Sequence, residues 1–132
     1  MASIERFEEL EVWQEARKLV RAVYAASQQG AFAKNFGLRD QIQRASVSIM
    51  SNIAEGFERS GNKEFSHFLY MAKGSAGELR SQLYVALDLS YLDQTAFKQL
   101  HDSALCVVRQ LSGFIKYLNS LPLGKERMAK KI

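Results

Sequence analysis

The sequence predicts an all-α protein, an antiparallel up-down-up-down four-helix bundle in a single domain spanning residues 1–132. Three observations lead there. Apolar residues recur at spacings of three and four in four separate stretches, which lays a stripe along one side of each helix. There is one proline, Pro122, and β-branched runs are almost absent. Hydrophobic residues make up 47% of the chain and charged residues 24%, a globular balance. A chain of this size buries roughly two-thirds of its unfolded surface, so a core forms without disulfides or metals. Connections between the stretches are short, which sets neighbouring helices antiparallel.

The first helix is expected from about Leu10 to Gln28, with Trp13, Ala16, Leu19, Val23 and Tyr24 on its apolar side. Gly30 reads as its stop and Gly37 as a turn in the connection 29–37. The second runs from about Leu38 to Ala54 or a little further on Ile42, Ala45, Ile49 and Ile53, with Gly56 and Gly61 bracketing the next turn. The third starts with Asn62 as N-cap and extends to about Ser90 along Phe65, Leu69, Ala72, Ala76, Leu79 and Leu83. Its interior glycines, Gly74 and Gly77, read as points of close helix packing. Leu92 before Asp93 marks the start of the fourth, a hydrophobic residue ahead of a good N-cap. That helix runs to about Asn119, and Pro122 and Gly124 end it. With Phe97, Leu105, Cys106 and Tyr117 added, its apolar arc is wider than a bundle core requires, so part of it is expected to face another subunit.

No run of about 20 apolar residues exists to span a membrane. The opening residues lack the basic-then-apolar order of a secretory leader. Cys106 is the one cysteine, which excludes an internal disulfide and makes the cytoplasm the expected location. The net charge is +4 and is concentrated late in the chain: residues 93–132 hold seven basic and three acidic groups. The tail 122–132 contains Lys125, Arg127, Lys130 and Lys131, which with Arg109 and Lys116 are the candidate nucleic-acid contacts. A solvated C-terminus explains the same residues without a ligand.

Catalytic and cofactor-binding patterns are weak. Glu64 and His67 form one Glu-x-x-His pair, but Lys98 stands three before His101, so the second pair of a di-metal bundle is missing. No metal, cofactor or catalytic residue is assigned, and the chain is expected not to be an enzyme. Cys106 sits among Leu105, Val107 and Val108 and reads as a buried small hydrophobe. No phosphate-cradling glycine loop or nucleophile elbow is present. The densest polar cluster is Asn52, Glu55, Glu58, Arg59, Asn62 and Glu64 around the second turn, and Asn52, Glu55, Gly56, Arg59, Glu64 and Glu78 are the candidate partner-binding or structural residues. The cluster reads either as capping and pairing of the turn or as a partner-binding end of the bundle.

From Phe7 to Leu118 the chain resembles a known family: the small four-helix-bundle proteins encoded in intervening sequences of bacterial 23S ribosomal RNA genes. The residues that carry the resemblance include Glu9–Leu10–Val12–Trp13, Phe36–Gly37–Leu38, Gln41–Ile42, Asn52–Ile53–Ala54–Glu55–Gly56, Arg59, Glu64–Phe65, Gly74–Ser75, Glu78–Leu79 and Tyr91–Leu92. Met50 departs from the pattern, which usually has proline there and hence a bent helix. The resemblance implies a homopentameric ring with no established biochemical role. A related branch, accessory variability proteins of diversity-generating retroelements, forms basic pentamers that bind a reverse transcriptase and nucleic acid. The expected function is therefore a non-enzymatic homo-oligomeric scaffold engaging RNA or a nucleic-acid-processing partner. The alternative is an oligomeric protein-binding module without a nucleic-acid role. Five copies of a +4 chain would carry about +20, enough to focus on phosphates.

Overall fold

The computed structural model describes residues 4–122. A 3-10 turn at Phe7–Glu9 leads into five helices: α1 (Glu11–Ser27), α2 (Gly30–Lys34), α3 (Phe36–Glu58), α4 (Asn62–Asp88) and α5 (Gln94–Asn119). The four long helices form the expected bundle. The short α2 occupies the connection read from sequence as irregular. α3 and α4 share the longest seam, α5 packs on the other side of α4, and α1 bridges α3 and α5. The described residues contain no helix long and apolar enough to cross a membrane.

The apolar stripes meet in one core. Leu19 and Val23 of α1, Ile42, Ile49 and Ile53 of α3, Leu69, Leu79 and Leu83 of α4, and Val107 and Leu111 of α5 are all buried. Burying each such side chain contributes roughly 1.5–3 kcal/mol before the entropy of ordering it is counted. One polar pair crosses the interior where Gln43 Nε2 donates to Ser27 Oγ at 2.9 Å, joining α3 to α1.

Short-range chemistry fixes the ends. Gly30 adopts φ +55°, the left-handed conformation that frees the chain from α1 at little steric cost. Asn35 accepts from the Leu38 amide at 3.1 Å and so caps α3, while its Nδ2 donates to the Tyr91 hydroxyl at 3.1 Å. Tyr91 in turn stacks on Phe32 of α2 at 5.2 Å between ring centroids. Asp93 caps α5, its Oδ1 accepting from the Ala96 amide at 2.7 Å.

Several sequence expectations are corrected. Gly37 lies in the first turn of α3 rather than in a loop, and α3 continues past Ala54 to Glu58. At the half-buried Met50 the helix is unbroken, in line with the absence of the family's proline there. Gly61, not Asn62, holds the N-cap position of α4. Gly56 is buried inside α3 instead of bracketing a turn. At Gly74 and Gly77 an added Cβ would meet nothing within 4 Å, so neither is a packing contact within the protomer. Cys106 is exposed, not buried. It stands two positions from buried Ala104, about 200° around the helix, which turns it away from the core.

Candidate functional site

The polar cluster around the α3–α4 turn is organised by Arg59. Its guanidinium pairs with Glu55 at 3.0 Å, approaches Glu64 at 3.9 Å, and lies over the Phe68 ring at 4.9 Å. The three contacts tie the last turn of α3 to the first turns of α4. These ion pairs are exposed, so each contributes at most about 1 kcal/mol. Asn52 is not part of this clamp. Its Nδ2 donates to the Ser48 carbonyl and hydroxyl at 2.9 and 3.1 Å, and Ser75 Oγ donates to Ser48 Oγ at 3.0 Å from across the seam. Gly56 lets the helices approach: a Cβ there would stand 2.6 Å from Phe68 Cβ and 3.0 Å from Phe65 Cδ1. Glu78 is remote from this cluster, exposed in the middle of α4. The candidate partner-binding residues thus fall into a clamp, a seam network and a separate carboxylate.

The outer side of α4 carries two stripes that the core-directed reading of the sequence passed over. Met71, Gly74, Glu78, Ser81, Val85 and Leu89 follow one another at helical spacing, and Met71, Val85 and Leu89 are exposed. About a quarter-turn or more around the helix run Tyr70, Lys73, Gly77, Arg80 and Tyr84, beside α5. At one end of that seam, Tyr70, Lys73, Ser112, Lys116, Asn119 and Ser120 are among the residues lining an open groove of about 410 Å³. At the other end Tyr84 packs against Phe97 and His101, with ring centroids 4.9 and 5.3 Å away. Arg80 Nε and His101 Nε2 are buried here without a hydrogen-bond partner among the described residues.

Burial, then the Arg80 guanidinium, holds the His101 imidazole below its ordinary value, against a weaker upward pull from Asp102. Asp102 is itself held low chiefly by the Lys98 ammonium, which donates to it at 2.6 Å. The folded chain therefore binds fewer protons at His101 than the unfolded chain does. Stability is fully present above the unfolded value of 6.5 and falls as the pH drops through it toward the lower folded value. Thermal unfolding measured from pH 7.5 to 5 is expected to show this loss, and His101→Gln to flatten it.

Of the candidate nucleic-acid contacts, Arg109 and Lys116 are exposed on α5 and make no ion pair among the described residues. Arg109 lines a separate groove of about 340 Å³ between α5 and the start of α1, with Leu10, Val12, Phe114 and Tyr117. Lys125, Arg127, Lys130 and Lys131 lie outside the described residues. The described residues contain no group of three or more His, Cys, Asp or Glu side chains placed to hold a metal ion. Glu64 faces Arg59, and His67 is exposed with its ring against Phe68.

The arrangement is that of a helical bundle whose polar and aromatic features lie on open helix faces. The chain belongs to the 23S rRNA-intervening sequence protein family, whose model matches residues 8–113. It is also similar in fold to a crystal structure from Bacteroides thetaiotaomicron VPI-5482, described as a protein with unknown function from the S23 ribosomal protein family. That match has a TM-score of 0.73 at 20% identity and covers 80% of this chain and 98% of the other. Comparison with curated proteins gives no match.

Proposed function

We propose that this protein is a non-enzymatic scaffold that self-associates, with a homopentamer the expected assembly, and engages RNA or a nucleic-acid-processing partner in the cytoplasm. The observation that carries the reading is the outer side of α4. Met71, Val85 and Leu89 stay exposed around Gly74 and Ser81, on a bundle whose core is already filled. Gly74 and Ser81, on either side of the exposed Glu78, let a second backbone approach closely, and the apolar residues beyond them gain from leaving water. Self-association also multiplies the charge excess, and the family's connection with 23S rRNA genes favours a polyanionic partner. The Asn52–Glu64 end is the weaker docking candidate, because Arg59 and Glu55 there already engage each other.

RNA binding by the purified, nuclease-treated full chain tests the reading. Titrated from low salt upward, binding is expected to persist at about 0.15 M and to fall steeply beyond it. Removal of Lys125–Ile132 is expected to weaken it. Binding confined to low salt and equal for any polyanion would contradict the proposal.

A further inference from the structure

The stripe beside α5 has an order of its own. Tyr70, Lys73, Gly77, Arg80 and Tyr84 sit at successive helical spacings, reading aromatic, cation, glycine, cation, aromatic. Tyr70 and Tyr84 are 53% and 50% exposed, unusual for residues of that size. Lys73 and Arg80 make no ion pair among the described residues, and neither does Lys116 across the groove. Asp102 on this seam is already engaged by Lys98, and Asp88 lies one turn beyond Tyr84, where it bounds the strip. Around the centre, Gly77 leaves open space where a side chain would stand.

We propose that this α4–α5 strip is a binding site for a single-stranded polynucleotide, with Lys73, Arg80 and Lys116 on phosphates and Tyr70 and Tyr84 stacking on bases. The inference rests on the nucleic-acid reading above and gives it a location. Lys73 and Arg80 are two helical turns apart, about 10 Å, too far to close on one phosphate and suited to a repeating one. Among the described residues, Arg80 Nε and His101 Nε2 lie buried without partners beneath the strip, leaving the outer nitrogens of the Arg80 guanidinium as the groups offered to a phosphate. The tyrosines favour a single strand over a duplex, whose bases already stack on one another. Tyr84 is braced from behind by Phe97 and His101, so its ring is held in place before any base arrives.

The test uses the full chain and fluorescein-labelled 16-mers of uridine, their deoxythymidine counterparts and a duplex RNA, read by anisotropy across salt. Wild type is expected to bind both single strands more tightly than duplex. Lys73→Gln with Arg80→Gln should weaken binding roughly tenfold and lower the salt slope by about 1.4, the share of two phosphates. Tyr70→Ala with Tyr84→Ala should weaken it by a similar factor and leave the slope unchanged. Arg21→Gln with Arg44→Gln removes the same charge from α1 and α3 and should change little. Circular dichroism of each variant checks folding, and Lys73→Gln alone, at a half-buried position, keeps the test open where Arg80→Gln unfolds. Preference for duplex or loss confined to tail truncation would overturn this site while leaving nucleic-acid binding standing, whereas equal displacement by polyglutamate would overturn both. A wild type silent toward all three probes would overturn both.

Discussion

Phe65→Ala is expected to destabilise the fold by about 3–5 kcal/mol, the cost of removing a large aromatic from a packed core. Phe65 is fully buried near the start of α4 and meets two rings edge-on, Phe57 of α3 at 5.9 Å and Phe114 of α5 at 5.1 Å. It therefore joins three helices at this end. Its loss leaves a cavity that cannot collapse, because Phe57 and Phe114 are anchored on separate helices. Against a typical total of 5–15 kcal/mol this is a large fraction of stability. A fall in melting temperature of about 10 °C or more is expected by calorimetry or circular dichroism. A fall of under about 3 °C would mean that the three rings do not act as one unit.

Gly56→Ala is expected to destabilise by about 1–2 kcal/mol, although alanine is the better helix former. The propensity gain is about 1 kcal/mol. Against it stands a Cβ placed 2.6 Å from Phe68 Cβ, an atom fixed to the α4 backbone that no rotamer change can move. Overpacking of this kind costs typically 1–3 kcal/mol, and here relief requires α3 and α4 to separate. Gly74→Ala supplies the contrast. Its surroundings are open, so the same change should stabilise the protomer by about 0.5–1 kcal/mol. Denaturant unfolding of the two variants side by side separates contact from propensity, and equal effects would refute the packing account.

This contrast also shows how far the sequence is legible. The helix stripes are readable because a buried face repeats every three or four residues whatever its partner, and Asp93 is readable as a cap because capping is local. Gly56 is not. With Gly61 it looks like one side of a loop, and only the position of Phe68 on the next helix explains it. Gly74 and Gly77 mislead in the opposite direction, since open space around a helical glycine leaves no mark on its neighbours. Cys106 was readable in principle, because its offset from Ala104 points it outward, but its apolar neighbours in the chain outweighed that phase. The strip from Tyr70 to Tyr84 is periodic and visible in the sequence. What is not visible there is that Arg80 and His101 come together with buried, unsatisfied nitrogens, because that depends on how α4 and α5 are registered.

The central claim is that the outer side of α4 is a working surface rather than a solvated one. Sedimentation of the full chain at micromolar concentration and about 0.15 M salt tests it most directly. The account predicts a discrete species several times the 14.9 kDa protomer mass, reduced toward that mass by Met71→Asp with Val85→Asp. A wild-type protein that sediments as a 14.9 kDa monomer throughout that range would contradict it.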